Sequence, residues 1–224
     1  MKQRKTINKI SSEQLKELVD FLNSYDCDIV NQKPCDENVF WDMLFNYTIS
    51  LYNYTRNCFD SQVFAVANEI RALLGHMSDY AMSLGKDRRN FEKAYGHFRR
   101  INLDLLKILC DEFDKAIALF IDQCYKFDLR NVDSKFLETL LTNYVKAKEA
   151  YIDAQKNERV GSDSDQNIIE LYFTAAKGYG DTLLYYIKNK DIVKKAIKKA
   201  RIKSGCSIAY YVVSAIVGVL LIVL

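Results

Sequence analysis

The chain has 224 residues, 32 Lys and Arg against 29 Asp and Glu, six cysteines, two histidines, one proline and eight glycines. No low-complexity tract occurs, and the scattered cysteines, without CxxC spacing or clustered histidines, indicate neither a zinc site nor a disulfide framework. The formal net charge of +3 is misleading, because eight cations between Lys188 and Lys203 oppose only Asp191 and leave the remainder at −4. The body is therefore not an obvious nucleic-acid binder.

With no sustained alternating pattern, the elements read as helices throughout, and the fold class is all-α: a cytosolic helical bundle with one C-terminal transmembrane helix. The opening residues are positively charged but carry no apolar h-region, so no cleavable signal peptide is expected. In that setting Asn46-Tyr-Thr48 and Asn53-Tyr-Thr55 are chance glycosylation matches. Ser11 with Gln14 makes a capping-box pattern before an amphipathic run to about Tyr25. After a connection holding the only proline, a second helix is expected from about Asn38 to near Asn57.

Asp60 or Ser61 can cap a third helix, with Val63, Ala67, Ile70, Leu74, Met77, Ala81 and Leu84 at three- and four-residue steps. A break at LGKD around Gly85 leads to a long fourth helix, ending near Phe127, whose Phe91, Ala94, Phe98, Ile101, Leu105, Leu109 and Ala116 share one side. The pair reads as an antiparallel hairpin. Ser134 can cap a fifth helix to about Arg159. GSDSDQ is a loop, and Asp165 opens a final helix that runs through the lysines, with Gly178, Gly180 and Gly205 as places where it could bend.

The division that follows is a cytosolic helical domain over 1–187, a basic juxtamembrane collar over 188–204 and a span over 205–224. Cys206 to Leu224 holds no charge, and its nineteen residues rise roughly 28 Å, enough to cross a bilayer core. The collar, including Lys194, Lys195, Lys198, Lys199, Arg201 and Lys203, gives a positive-inside signal. It also suits anionic lipid headgroups. The expected location is the inner (cytoplasmic) membrane, single-pass, with the body in the cytosol and the C-terminus on the opposite side. Within the span, Ser207, Tyr211, Ser214 and Gly218 follow steps of four, three and four, a small or polar stripe suited to close helix approach and homo-oligomer formation.

Both histidines follow glycine, and their midpoint falls in the LGKD turn, so a hairpin places His76 and His97 at one height. Each lies roughly 100–120° from the centre of its apolar face in the same rotational sense, so both point into the seam or both away from it. Glu69 and Tyr80 share the flank of His76, and Arg100 and Asp104 that of His97. In the seam, Glu69, His76, His97, Arg100 and Asp104 make a cluster that can accept an anionic ligand. Equally, the carboxylates can simply pair with Arg100 and hold the hairpin in register. No phosphate loop, nucleophile elbow or HExxH helix occurs, and no cofactor or resident metal is implied.

Arg71 and His76 also satisfy R-x4-H, in the residues RALLGH, which resembles the motif of HEPN-type ribonucleases. That resemblance would make Arg71 and His76 catalytic, with both assisting attack by an RNA 2′-hydroxyl. Arg71 sits on the opposite flank from His76, however, so the two converge only through unwinding near Gly75 or through a second subunit. As an architecture, the helical sensor, basic collar and terminal span resemble bacterial antiphage-defence membrane effectors, among them the transmembrane effectors of Hailong-type systems. That resemblance implies a homo-oligomer whose bundled spans form a pore, gated by a nucleotide or short oligonucleotide and not by duplex nucleic acid. A passive tail-anchored adaptor is the remaining alternative and needs neither the histidines nor the stripe.

Overall fold

The computed structural model describes residues 11–24, 36–59, 64–126, 133–160, 166–195, 198–199 and 202. Helix α1 spans Ser12–Ser24. Its capping box forms as expected: the Gln14 amide donates to Ser11 Oγ at 3.0 Å, and the Ser11 amide to Gln14 Oε1 at 3.1 Å. Helix α2, Glu37–Met43, starts at Asp36, whose carboxylate accepts from the Val39 amide at 2.9 Å. It runs through a π-helical stretch, Leu44–Ile49, into α3, Ser50–Cys58. The extra residue per turn there aligns buried Thr48 with buried Asn102, whose amide donates to the threonine hydroxyl at 2.8 Å.

Helices α4, Phe64–Met82, and α5, Arg88–Lys126, form the expected antiparallel hairpin. Its turn places Leu84 and Gly85 at φ of 56° and 72°, and the Gly85 amide closes back on the Tyr80 carbonyl at 3.1 Å. All seven predicted core positions of α5 are buried. The face of α4 is a correction. The buried residues are Val66, Leu73, Met77 and Tyr80, while Leu74 and Leu84 are exposed. The stripe is turned by roughly 50° from the predicted one, because α4 has to meet both α5 and the polar seam beside it.

Helix α6 spans Ser134–Val160 and α7 spans Gln166–Lys188. The cap of α6 is Asp133 rather than Ser134: its Oδ1 accepts from the Phe136 amide at 2.8 Å. Helix α7 does not run unbroken through the lysines. A turn at Asn189 separates it from a further helical stretch, 190–195. Two of its glycines lie at close helix contacts. A Cβ on Gly178 would stand 3.2 Å from Ala147 Cβ, and one on Gly180 would stand 2.9 Å from Val19 Cγ2, so both let neighbouring helices approach.

Helices α5 and α7 run parallel, with α6 antiparallel to both, and α7 packs most extensively on α6 and α5. The main core draws on every described helix, including fully buried Phe98, Phe113, Tyr172 and Tyr179. A second, smaller cluster closes the end where α5 and α7 finish. It holds Cys124, Phe136, Leu137, Leu140, Tyr186 and Val193, with Phe120 and Tyr186 stacked at 4.0 Å. Val193 belongs to the 190–195 stretch, so the first part of the collar is packed onto the bundle.

Among the described residues no strand occurs, and no helix is long and apolar enough to cross a membrane. The expected span 205–224, with Ser207, Tyr211, Ser214 and Gly218, lies outside the described residues, as do Arg201 and Lys203. Cys58, Cys110 and Cys124 are free and buried, and burial pushes the thiol pKa of Cys58 and of Cys124 up to about 11. They are packed thiols rather than reactive ones.

Candidate functional site: a histidine seam and an arginine cleft

The two histidines point into the seam. Their rings stack with centroids 5.3 Å apart and planes 19° from parallel. The turn of the α4 stripe brings this about, since it swings His76 and Glu69 towards α5. His97 Nδ1 lies 2.6 Å from Glu69 Oε2, and Arg100 Nη1 donates to the other carboxylate oxygen at 3.4 Å. Glu69 thus bridges two residues of α5, where shared helical flank pointed to His76 as its neighbour. The hydrogen bond from His97, with the Arg100 charge adding to it, holds the Glu69 carboxyl below its ordinary value.

His76 takes a partner that sequence reading missed. Its Nδ1 is 3.1 Å from Asn90 Oδ1, and the Asn90 amide donates to Asp87 Oδ2 at 2.9 Å. Asp87 also accepts from the Arg89 amide at 3.2 Å, at the start of α5. Since a carboxylate can only accept, Asp87 turns the Asn90 carbonyl towards the imidazole, which makes Nδ1 of His76 the donor. Glu69 imposes the same tautomer on His97.

Asp104 lies one turn along α5 from Arg100. Burial pushes its carboxyl up, Lys107 opposes the rise, and the Glu69 charge adds to it. Tyr80 leaves the group altogether: it is buried against Phe91, with ring centroids 5.2 Å apart. Arg71 is exposed. Helix α4 is continuous through Gly75, so five residues separate Arg71 from His76 by roughly 140° around one axis. The unwinding that would let one chain form an R-x4-H site is absent from α4. Among the described residues no group of three or more His, Cys, Asp or Glu side chains could hold a metal.

On the outer side of Arg100 lies a cleft of about 250 Å³ between α5 and the first turn of α7. Gly96, Arg99, Arg100, Leu103, Ile168 and Ile169 line it. Among the described residues the lining holds two arginines, a glycine and three aliphatic side chains. Arg99 was not singled out from the sequence, because the cleft exists only where α7 begins beside α5.

Further along α5 a polar layer ties three helices together. Lys107 pairs with Glu158, which accepts from the Tyr172 hydroxyl at 2.6 Å. Tyr151 donates to Asp111 at 2.5 Å, and burial raises the phenol pKa of Tyr151 and Tyr172. These groups are satisfied among themselves and read as register-setting contacts. Comparison with protein-family models, curated proteins and solved structures finds no match to this chain.

Proposed function

We propose that the chain is a membrane-anchored helical sensor and effector in antiphage defence. In this reading it assembles as a homo-oligomer and permeabilises the inner membrane under control of a nucleotide-type ligand. The supporting observation is the packing of the collar. Val193, nearly fully buried, seats the 190–195 stretch against Cys124 of α5, Tyr186 of α7 and Phe136, Leu137 and Leu140 of α6. A shift among these helices would reach Lys194 and Lys195 through packed side chains, which is what a sensor driving a membrane segment requires. Roughly 30 Å of helix rise separates Arg100 from Phe120, so the histidine seam would act on the membrane end only through α5 and α7.

The span residues Ser207, Tyr211, Ser214 and Gly218 would face neighbouring copies or an aqueous path, since hydrocarbon does not satisfy hydroxyls. The test compares Gly218→Leu with Val219→Leu in the full chain at matched expression, reading membrane potential. Loss with the first and near-silence with the second supports the reading. Equal effects leave a passive anchor. Digestion of a C-terminal tag from the cytosolic side of sealed vesicles would overturn the orientation.

A further inference from the structure

We infer that the outward face of α4 is an interface between two copies of this chain, paired antiparallel about Gly75 so that Arg71 of each copy meets Asp79 of the other. This contact deepens the homo-oligomer of the proposed function, and it rests on that reading only for the claim that copies assemble.

Helix α4 packs chiefly on α5, and its buried line of Val66, Leu73, Met77 and Tyr80 faces that way. The opposite line runs through Phe64, Arg71, Gly75 and Met82, at steps of seven, four and seven. Phe64 is 79 % exposed and Met82 81 %, and Leu84 in the turn is 83 %, the three highest values among the described large hydrophobic residues. Single exposed apolar side chains are ordinary, but these three share one helix and its turn.

The charges on that line select a second copy as the occupant. Arg71 and Asp79 are both exposed and stand four residues either side of Gly75. In an antiparallel pair crossing at Gly75, Arg71 of each helix comes level with Asp79 of the other, and two reciprocal ion pairs form about one twofold axis. The same axis sets Phe64 level with Lys86 of the other copy, about one turn from its Met82 and nearer still to its Leu84. Gly75 leaves the crossing point clear, since a Cβ there would meet nothing within 4 Å. Six exposed apolar side chains, each offering on the order of 100 Å², together with the helix surface between them, bury roughly 1,200 Å², the low end of a stable interface. His76 lies about 100° round the helix from Gly75, in the seam with His97, so this pairing does not carry Arg71 to a histidine.

The test is disulfide trapping in the detergent-extracted full chain. With axes about 8–10 Å apart and Cα atoms about 2.3 Å from each axis, facing residues at the crossing lie roughly 4–6 Å apart, within disulfide range. Gly75→Cys should therefore give a covalent dimer under mild oxidation at several times the yield of the unsubstituted chain. Lys156→Cys, exposed on α6, should not. Added to Gly75→Cys, either Arg71→Glu or Asp79→Arg alone should cut trapping by roughly tenfold or more, because like charges then face each other twice. The two reversals together should restore it, since opposite charges meet again across the axis. Equal trapping at positions 75 and 156, single reversals without effect, or a folded double reversal that fails to restore the dimer would each overturn the inference. Trapping at position 75 by a chain that never permeabilises membranes would keep the α4 pair and sink the membrane reading. Permeabilisation by a chain that is never trapped would do the reverse.

Discussion

Tyr144 of α6 and Tyr179 of α7 donate to the same oxygen of Asp114, at 2.9 Å and 3.1 Å. Lys148 stands 3.4 Å from that oxygen and also donates to the Tyr144 hydroxyl at 3.0 Å. One carboxylate of α5 therefore sets the register of two neighbouring helices. Asp114→Ala should cost roughly 2–3 kcal/mol, since fully buried Tyr179 loses a charged acceptor. Tyr179→Phe, which removes the donor together with its need, should cost about 1 kcal/mol. Thermal melts of the two variants give the comparison, and an equal small loss in both would contradict the account.

The two carboxylates near the histidines should respond to acid in opposite directions. The folded pKa of Glu69 is depressed, so its contribution is present above the ordinary carboxylate value and is lost as pH falls through the lower folded value. Asp104 is raised by burial, so its ionised form costs stability at neutral pH, and the cost is relieved as pH falls through the raised value. Glu69→Gln should therefore destabilise at pH 7 and Asp104→Asn should stabilise. Both differences should shrink towards pH 3. Melting temperatures across that range decide it, and a stabilising Glu69→Gln at pH 7 would be the contrary result.

Two glycines should respond to alanine with opposite signs. At Gly75 the new methyl meets nothing within 4 Å, so the helix gains about 1 kcal/mol from the better propensity of alanine. At Gly180 it would press on Val19 Cγ2 at 2.9 Å, and the overpacking cost of roughly 1–3 kcal/mol outweighs that gain. Denaturant midpoints of Gly75→Ala and Gly180→Ala would show the split.

Val193→Asp should separate membrane attachment from its control. A carboxylate buried in the apolar seat formed by Cys124, Leu140 and Tyr186 loses its hydration, so the 190–195 stretch should detach from the second cluster. Under the proposed function the protein would still fractionate with membranes while its permeabilising activity loses dependence on the bundle. Lys194→Glu, an exposed change beside it, should leave that dependence intact. The same activity profile in both variants would argue against coupling through this packing.

Much of the architecture was legible in the residues. The amphipathic period marked the helices, and Ser11 with Gln14 marked the start of α1. His76 and His97 are equally spaced about the Lys86–Asp87 peptide in the LGKD turn, which put them at one height in the hairpin. Tyr144 and Tyr151 are one heptad apart, as are Tyr172 and Tyr179, and Lys107, Asp111 and Asp114 step by four and three along α5. That pattern was available as a signal for the polar layer, although nothing local says which tyrosine meets which acid.

Local chemistry by itself determined where helices start, how long they run and which residues share a face, because these depend on neighbours three or four positions away. Tertiary structure decided how far α4 turns about its axis, and with it that the imidazoles stack in the seam and that Glu69 reaches His97 and Arg100. It also seated Val193 on the second cluster and opened the Arg99–Arg100 cleft where α7 begins. Each of these balances contacts between residues far apart in the chain, whose relative placement is set only when the helices pack and bury their side chains together.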